Sequence, residues 1–346
     1  MMNPKIKIVL GGGGAILFSL LLLFSATFYW DNTSFEADST AIYIERGWDF
    51  ESLQDALAPH LKSSTLFAIA AKAKGYSSRV RSGKYEIAKG LSNNEIINRL
   101  RQKSDPIRIT FNNQERLENL AGRLAQVLES DSLSFLTAMR DPEFLKTRGF
   151  TTQTALAMYL PNSYEFFWDV TPAVFCERIH KEYQKFWNTT RKIQAQKQGL
   201  TPVEVITLAS IVHKEAVHED ERKVVAGVYL NRLRRRMKLQ ADPTVIYALK
   251  ERFQNFDTVF KRVLYKDLRI RSPYNTYRVK RLPPGPIAMP DISAIEAVLS
   301  PQKHRYLYFV ANPDRPGYHL FAASLDGHNR NKRKYVQWLN RKKLYR

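Results

Sequence analysis

The chain has 346 residues, 44% hydrophobic and 12% aromatic, which is enough for two domains with a substantial core and excludes a disordered polymer. Its formal net charge of +21 points to an anionic partner, and with no zinc-finger spacing or aromatic RNA-binding signature, lipid headgroups and cell-wall polymer are expected before nucleic acid. Cys176 is the only cysteine, so an internal disulfide and a cysteine-based metal site are both excluded.

The first element is the uncharged run from Ile8 to Trp30, long enough to cross a hydrocarbon layer of roughly 30 Å as a helix. It is longer than an ordinary signal core and no clear cleavage site follows it, so an uncleaved transmembrane helix over 8–30 is expected. Lys5 and Lys7 precede it and Asp31, Glu36 and Asp38 follow, which places residues 1–7 in the cytoplasm and the rest of the chain outside. Asp31 to Ala41 then reads as a polar linker. A small module follows: strand Ile42–Ile44, helices Asp49–Leu57 and Ser64–Lys74, strand Lys84–Ile87 after Gly83, and a helix opened by the Ser92/Glu95 capping box. This βααβ pattern suits either a reader of a repetitive ligand or a plain spacer.

Asp105-Pro106 separates that module, within residues 31–105, from a larger domain over 106–346. Strand Ile107–Phe111 and helix Leu117–Leu128 lead to the aromatic loop and strand Tyr159–Asp169, and one long basic helix is expected from Ala173 to Lys197. The best helix signal is next: Thr201, Pro202 and Glu204 form a capping box with proline at the first turn. In this helix Val205, Leu208, Ala209, Val212 and Ala216 share one face, and Thr207, Ser210, Lys214 and His218 the other. Glu215 falls at the edge of the apolar stripe. Two readings stay open for it: a desolvated carboxyl that keeps its proton near neutrality, as a general acid must, or a core-capping partner of Arg222 or Arg232.

A second helix is expected over Glu219–Arg236 with Val224, Val225, Val228 and Leu233 inward, then a polar turn where Asp242 or Thr244 caps the next helix. SPYNTY and LPPGPI read as rigid loops, and Tyr306–Val310 and Tyr318–Phe321 as paired strands around Asn312-Pro313-Asp314. Segregated helices and strands give an α+β class. The run Arg232–Arg236 and the tail Lys332–Arg346 hold much of the positive charge, either as solvated faces or as an anionic-surface contact. His213 and His218 are five apart, about 140° round a helix, which does not fit a zincin pair, so no metal is expected.

At these residues the chain resembles the MltG (YceG-like) endolytic murein transglycosylases. The resemblance rests on ASIVHKE at 209–215, Glu221-Arg222, Asn231-Arg232-Leu233, LQADPTVIY, YNTY, LPPGPI and YLYFVA, in the family's order over 107–329. It departs from the family at His213 for glutamate, Ala241 for serine or threonine, Arg281 for glycine, Asn162 for aspartate and Met289 for asparagine. The resemblance implies a single-pass inner-membrane anchor, a LysM-like module and a periplasmic catalytic domain. It also implies cleavage of the β-1,4 bond after N-acetylmuramic acid without water, giving a 1,6-anhydro end and terminating glycan strand growth, with no cofactor. By position Glu215 is the catalytic glutamate. Gln240, Asp242, Tyr274 and Asn275 are candidates for sugar contacts because they sit on loops beside the motifs, and Glu219 and Arg222 are candidates for supporting neighbours. The competing function is a non-catalytic, membrane-anchored glycan binder that recruits peptidoglycan synthases.

Overall fold

The computed structural model describes residues 4–260 and 262–342, with side chains from residue 17 onward. Residues 1–3 of the expected cytoplasmic segment 1–7, the side chains of residues 4–16 and the last four residues of the basic tail lie outside the described residues. The chain divides into two compact units: Met1–Ile109 with Val127–Ser130 and Glu165–Thr171, and Thr110–Gln126 with Asp131–Tyr164 and Pro172–Arg346.

The first unit contains α1 (Pro4–Tyr29), β1 (Ser39–Ile44), α2 (Phe50–Leu57), α3 (Ser64–Ala73), β2 (Gly83–Ala88), α4 (Asn93–Arg101) and most of β3 (Pro106–Thr110). β1 and β2 pair antiparallel in the register Ser39↔Ala88 to Ile44↔Gly83. Their alternation turns Ile42, Ile44, Tyr85 and Ile87 onto Leu53, Phe67, Ile96 and Leu100, which closes a single core. The capping box of α4 forms as its sequence predicts. Among the described residues no helix is long and apolar enough to cross a membrane.

The stretch after α1 is not the loose linker that its polarity suggests. Asn32 and Thr33 are buried, and Asn32 Nδ2 donates to Asn93 Oδ1 at 2.7 Å and to Ser63 O at 2.9 Å. Asn93 in turn donates to Thr27 O at 2.9 Å, so the last turn of α1 is fastened to the module by buried amides. Short polar side chains can serve a linker or a buried clamp, and composition alone does not separate the two.

The second unit is mainly helical: α5 (Leu117–Ala125), α6 (Ser132–Met139), α7 (Pro142–Thr147), β4 (Ser163–Phe167, shared with the first unit and paired with β3), α8 (Pro172–Phe186), α9 (Thr189–Lys197), α10 (Pro202–Glu215), α11 (Glu219–Arg234), α12 (Asp242–Phe253), α13 (Ile292–Leu299), β5 (Tyr308–Ala311), β6 (His319–Ala322) and α14 (Leu325–Arg341). The single long helix expected over 173–197 is two. Trp187 is buried at the break, and Asn188 caps α9 by accepting from Arg191 N at 3.0 Å.

Helix α10 is the centre of this unit. Its capping box forms, and it packs against α9, α11, α12 and α13. Every residue from Val205 to Val212 is buried, including Thr207 and Ser210, which the helical pattern placed on an outer face. A helix surrounded by neighbours has no solvent side, so its polar residues must find partners inside. Thr207 Oγ1 donates to Val203 O at 2.9 Å, and Ser210 Oγ donates to Thr207 O at 2.7 Å while accepting from Ile287 N at 3.1 Å. That last bond seats the LPPGPI loop on α10. Gly285 is required in the same loop, because a Cβ there would fall 2.0 Å from Gln153 O.

Candidate active site

Glu215 is the last residue of α10, half-buried, at the floor of a cleft of about 190 Å³. The cleft is walled by Arg232 from α11, by Leu239, Gln240 and Asp242 from the turn into α12, by Tyr277, by Phe309, Val310 and Ala311 of β5, and by His319 of β6. The sequence motifs thus converge although they are far apart in the chain.

Helix α11 supplies the polar framework. Glu221, Val225, Tyr229 and Arg232 recur at intervals of four and three, so they share one stripe, and all four are buried. Leu233, expected inward, is only half-buried because Arg232 takes the inner position. Tyr229 Oη donates to Glu215 Oε1 at 3.0 Å. Arg232 donates to Leu307 O at 2.6 Å, to Leu239 O at 2.7 Å and to Gln240 Oε1 at 3.2 Å, and so ties the strand β5 side of the cleft to the 239–242 side. Neither Arg222 nor Arg232 forms an ion pair with Glu215 among the described residues. Glu221 holds His319 twice, accepting from its backbone N at 2.8 Å and lying 2.6 Å from Nδ1. Nδ1–H is given to that buried carboxylate, which fixes the orientation of the ring in the cleft wall.

The turn into α12 is fixed by the YNTY loop. Asn275 Nδ2 donates to Leu268 O at 3.0 Å and Ile270 O at 2.9 Å, and its Oδ1 accepts from Tyr277 N at 3.0 Å. Thr276 Oγ1 accepts from Ala241 N at 3.0 Å and contacts Thr244 Oγ1 at 2.8 Å. Neither Asp242 nor Thr244 caps α12 with its side chain. Ala241 holds that position without a capping side chain, and the Thr276 hydroxyl satisfies its backbone N–H from outside. Tyr277 Oη donates to Asp242 Oδ1 at 2.6 Å. Gln240 is held with φ +53°, a left-handed backbone that a non-glycine residue adopts at some cost and that the surrounding bonds maintain.

The electrostatics of Glu215 follow from this enclosure. Burial and then the nearby Asp242 carboxylate raise its pKa to about 7, against the opposing effects of the Tyr229 hydrogen bond, His319 and Arg232. A carboxyl group that holds its proton to near neutrality, at the floor of an open cleft, can act as acid and then as base in one reaction.

Of the residues singled out from the sequence, Glu215, Gln240 and Asp242 come together in the cleft. Tyr274 and Asn275 do not. Tyr274 is buried against Tyr247, with ring centroids 4.6 Å apart, and Asn275 is fully buried as the staple of its own loop. It is Tyr277, the second tyrosine of YNTY, that reaches the cleft. Glu219 and Arg222 also lie outside the cleft lining: Arg222 Nη2 is 2.9 Å from Asp291 Oδ2, and Glu219 Oε1 is 3.4 Å from Arg222 Nη1. His213, the departure at the first acidic position of the motif, joins this second cluster, with Nδ1 3.2 Å from Asp291 Oδ2. Sequence reading missed Tyr229, Tyr277, Glu221 and His319. The signal for the first and third was the spacing of Glu221 and Tyr229 on the stripe of α11 that carries Arg232.

The cleft therefore assembles Glu215 with Arg232 of the NRL motif and with groups from LQADPTVIY, YNTY and YLYFVA, and the YceG-like family model matches residues 42–334. The chain belongs to the YceG-like family. Among YceG-like relatives, the endolytic murein transglycosylase of Bacillus subtilis (strain 168) is 34% identical over 301 residues, 82% of this chain and 80% of that protein. The protein of the same name in Streptococcus pneumoniae serotype 2 (strain D39 / NCTC 7466) is 27% identical over 80% of this chain and 54% of its own length. A YceG-like protein of Listeria monocytogenes has been solved by crystallography. It is 27% identical, with a TM-score of 0.56 over 85% of this chain and 98% of that one.

Proposed function

We propose that this YceG-like chain is an endolytic murein transglycosylase, a lyase that cuts the β-1,4 bond after N-acetylmuramic acid inside a glycan strand and uses Glu215 for proton transfer. The observation that carries the reading is the half-buried Glu215 carboxyl, its pKa raised to about 7, facing the cleft beside Asp242 and Tyr277. Protonated Glu215 gives its proton to the glycosidic oxygen as that bond to the anomeric carbon breaks. The resulting carboxylate takes the proton of the sugar's own C6 hydroxyl while that oxygen bonds to the anomeric carbon. No water is consumed, and Glu215 ends ionised only until the C6 proton arrives, so one carboxyl group suffices.

Tyr229, Asp242 and Tyr277 have parts in this chemistry. Tyr229 orients the carboxyl group by donating to Oε1. Asp242, oriented by Tyr277, raises the proton affinity of Glu215 and sets a negative charge near the cationic sugar of the transition state. The anchor belongs to the same proposal. The exposed apolar side chains of Leu17, Phe18, Leu20, Leu21, Leu23 and Phe24 on α1 favour insertion in a bilayer, with the module and catalytic unit in the periplasm of an inner membrane. There the enzyme would end nascent strands beside the peptidoglycan synthases. The βααβ module, with the antiparallel pair β1–β2, suits a LysM-like glycan contact.

Glu215→Gln keeps the shape and the Tyr229 contact but cannot donate and recover the proton. The full-length variant should release anhydro-ended fragments from purified murein at least roughly a thousandfold more slowly than wild type. Release within a factor of a few of wild type would exclude Glu215 from the chemistry.

A further inference from the structure

Further cavities lie along the chain beyond the cleft residue Asp242. Helix α12 starts at the cleft and runs for 12 residues, about 18 Å. One face, repeating every four residues through Asp242, Ile246 and Lys250 and through Pro243, Tyr247 and Glu251, carries two more cavities. The nearer, of about 170 Å³, begins at Pro243, next to the cleft residue Asp242, and is lined by Ile246, Tyr247 and Lys250. The farther, of about 450 Å³, shares Tyr247 and Glu115 with it and extends past Glu251 to Gln254, Phe256 and Tyr274.

The shared residue Glu115 gives these cavities an ion-paired wall. Glu115 accepts from Lys214 Nζ at 2.7 Å and from Lys250 Nζ at 2.7 Å, bridging the last turn of α10, one residue before Glu215, to the last turn of α12. The far cavity is different in character. Tyr247 packs against Tyr274 at 4.6 Å and Phe256 at 5.6 Å between ring centroids, forming an aromatic cluster. Beside it the Glu251 carboxylate is half-buried and, among the described residues, carries neither an ion pair nor a hydrogen bond. A half-buried carboxylate without a partner costs free energy unless a ligand supplies donors. Pyranose rings bring apolar faces for the aromatic rings and vicinal hydroxyl donors for the carboxylate.

We infer that the α12 face is a second glycan-binding site, continuous with the cleft, in which the far cavity holds a sugar several units away from the scissile bond through Glu251 and the Tyr247 cluster. The inference rests on the glycan-cleaving reading of the cleft and adds a length requirement to it. A strand too short to reach Glu251 occupies the cleft alone, and a longer one is held at both ends of α12. Remote contacts of this kind select internal over terminal bonds and let distant binding energy position the reacting sugar.

The test is calorimetric titration of the full-length Glu215→Gln protein in detergent with a short and a long β-1,4-linked N-acetylglucosamine oligomer, so that no cleavage intervenes. The long oligomer should bind about tenfold or more tightly than the short one. Glu251→Ala in that background should remove most of the difference and leave short-oligomer affinity unchanged, while Glu251→Gln, which keeps shape and part of the hydrogen bonding, should lose less. Equal affinity for the two lengths, or a long-oligomer affinity unchanged in both variants, overturns the second site and leaves the glycan reading of the cleft standing. Binding of neither oligomer overturns the glycan reading itself.

Discussion

At the scale of single residues, Glu215 is governed by a competition between desolvation with Asp242 on one side and Tyr229 on the other. Because burial raises its pKa to about 7, the proton-donating form is present below that value and disappears above it, so cleavage should fall as pH rises through 7. Tyr229→Phe removes the hydrogen bond that favours the carboxylate, and should move this alkaline limb upward by roughly one pH unit, with a lower maximum from lost orientation. A pH–rate profile of the two proteins checks it, and a limb that stays in place or moves down contradicts the assignment of Tyr229. The stability linkage has a matching sign. Between the ordinary carboxylate pKa and about 7 the folded protein binds a proton that the unfolded chain has lost, so this group's contribution declines as pH rises through that window. Glu215→Gln should remove that decline. At this scale the sequence showed the odd placement of Glu215 but not its partners. Which tyrosine of YNTY reaches the cleft depends on the path of a loop stapled by Asn275, and the bond from Glu221 to His319 joins positions 98 apart in the chain.

At the scale of elements, the helix starts at Ser92 and Thr201 were readable because a capping box is local chemistry within four residues. The break at Trp187-Asn188 was not read, since the helical pattern on its two sides is similar and the stop is set by a buried indole and an asparagine cap. Burial on all sides of α10 was equally hidden, because Thr207 and Ser210 look like surface residues until the bond from Ile287 is seen. The LPPGPI loop gives a prediction of its own. Gly285→Ala places a Cβ against the Gln153 carbonyl and should cost roughly 1–3 kcal/mol, visible as a lowered thermal midpoint. A midpoint within a degree of wild type would show that the loop can move away from Gln153.

At the scale of the whole molecule, the α+β class was legible from strand alternation and helix periodicity. The packing of Asn32 and Asn93 that fastens α1 to the small unit was not, since it joins residues 61 apart through side chains. Under the proposed membrane attachment, the net charge of +21 and the exposed apolar side chains of α1 are separate holds that respond differently to salt. Deleting residues 1–24, which keeps Thr27 and Phe28 on the module, should move the protein from the membrane fraction to the soluble fraction, whereas high salt alone should not release the full chain. Retention of the shortened chain on membranes at low salt, with release at high salt, would assign the attachment to the basic surface instead.

An intramolecular cleavage driven by one carboxyl group leaves its mark on the glycan ends that it produces. The most direct measurement is mass spectrometry of the glycan ends released from murein by the full-length protein in water enriched in heavy oxygen. The released ends should be lighter by one water than a reducing sugar, free of the heavy isotope, and missing with Glu215→Gln. Reducing ends carrying heavy oxygen would contradict it and make the protein a hydrolase.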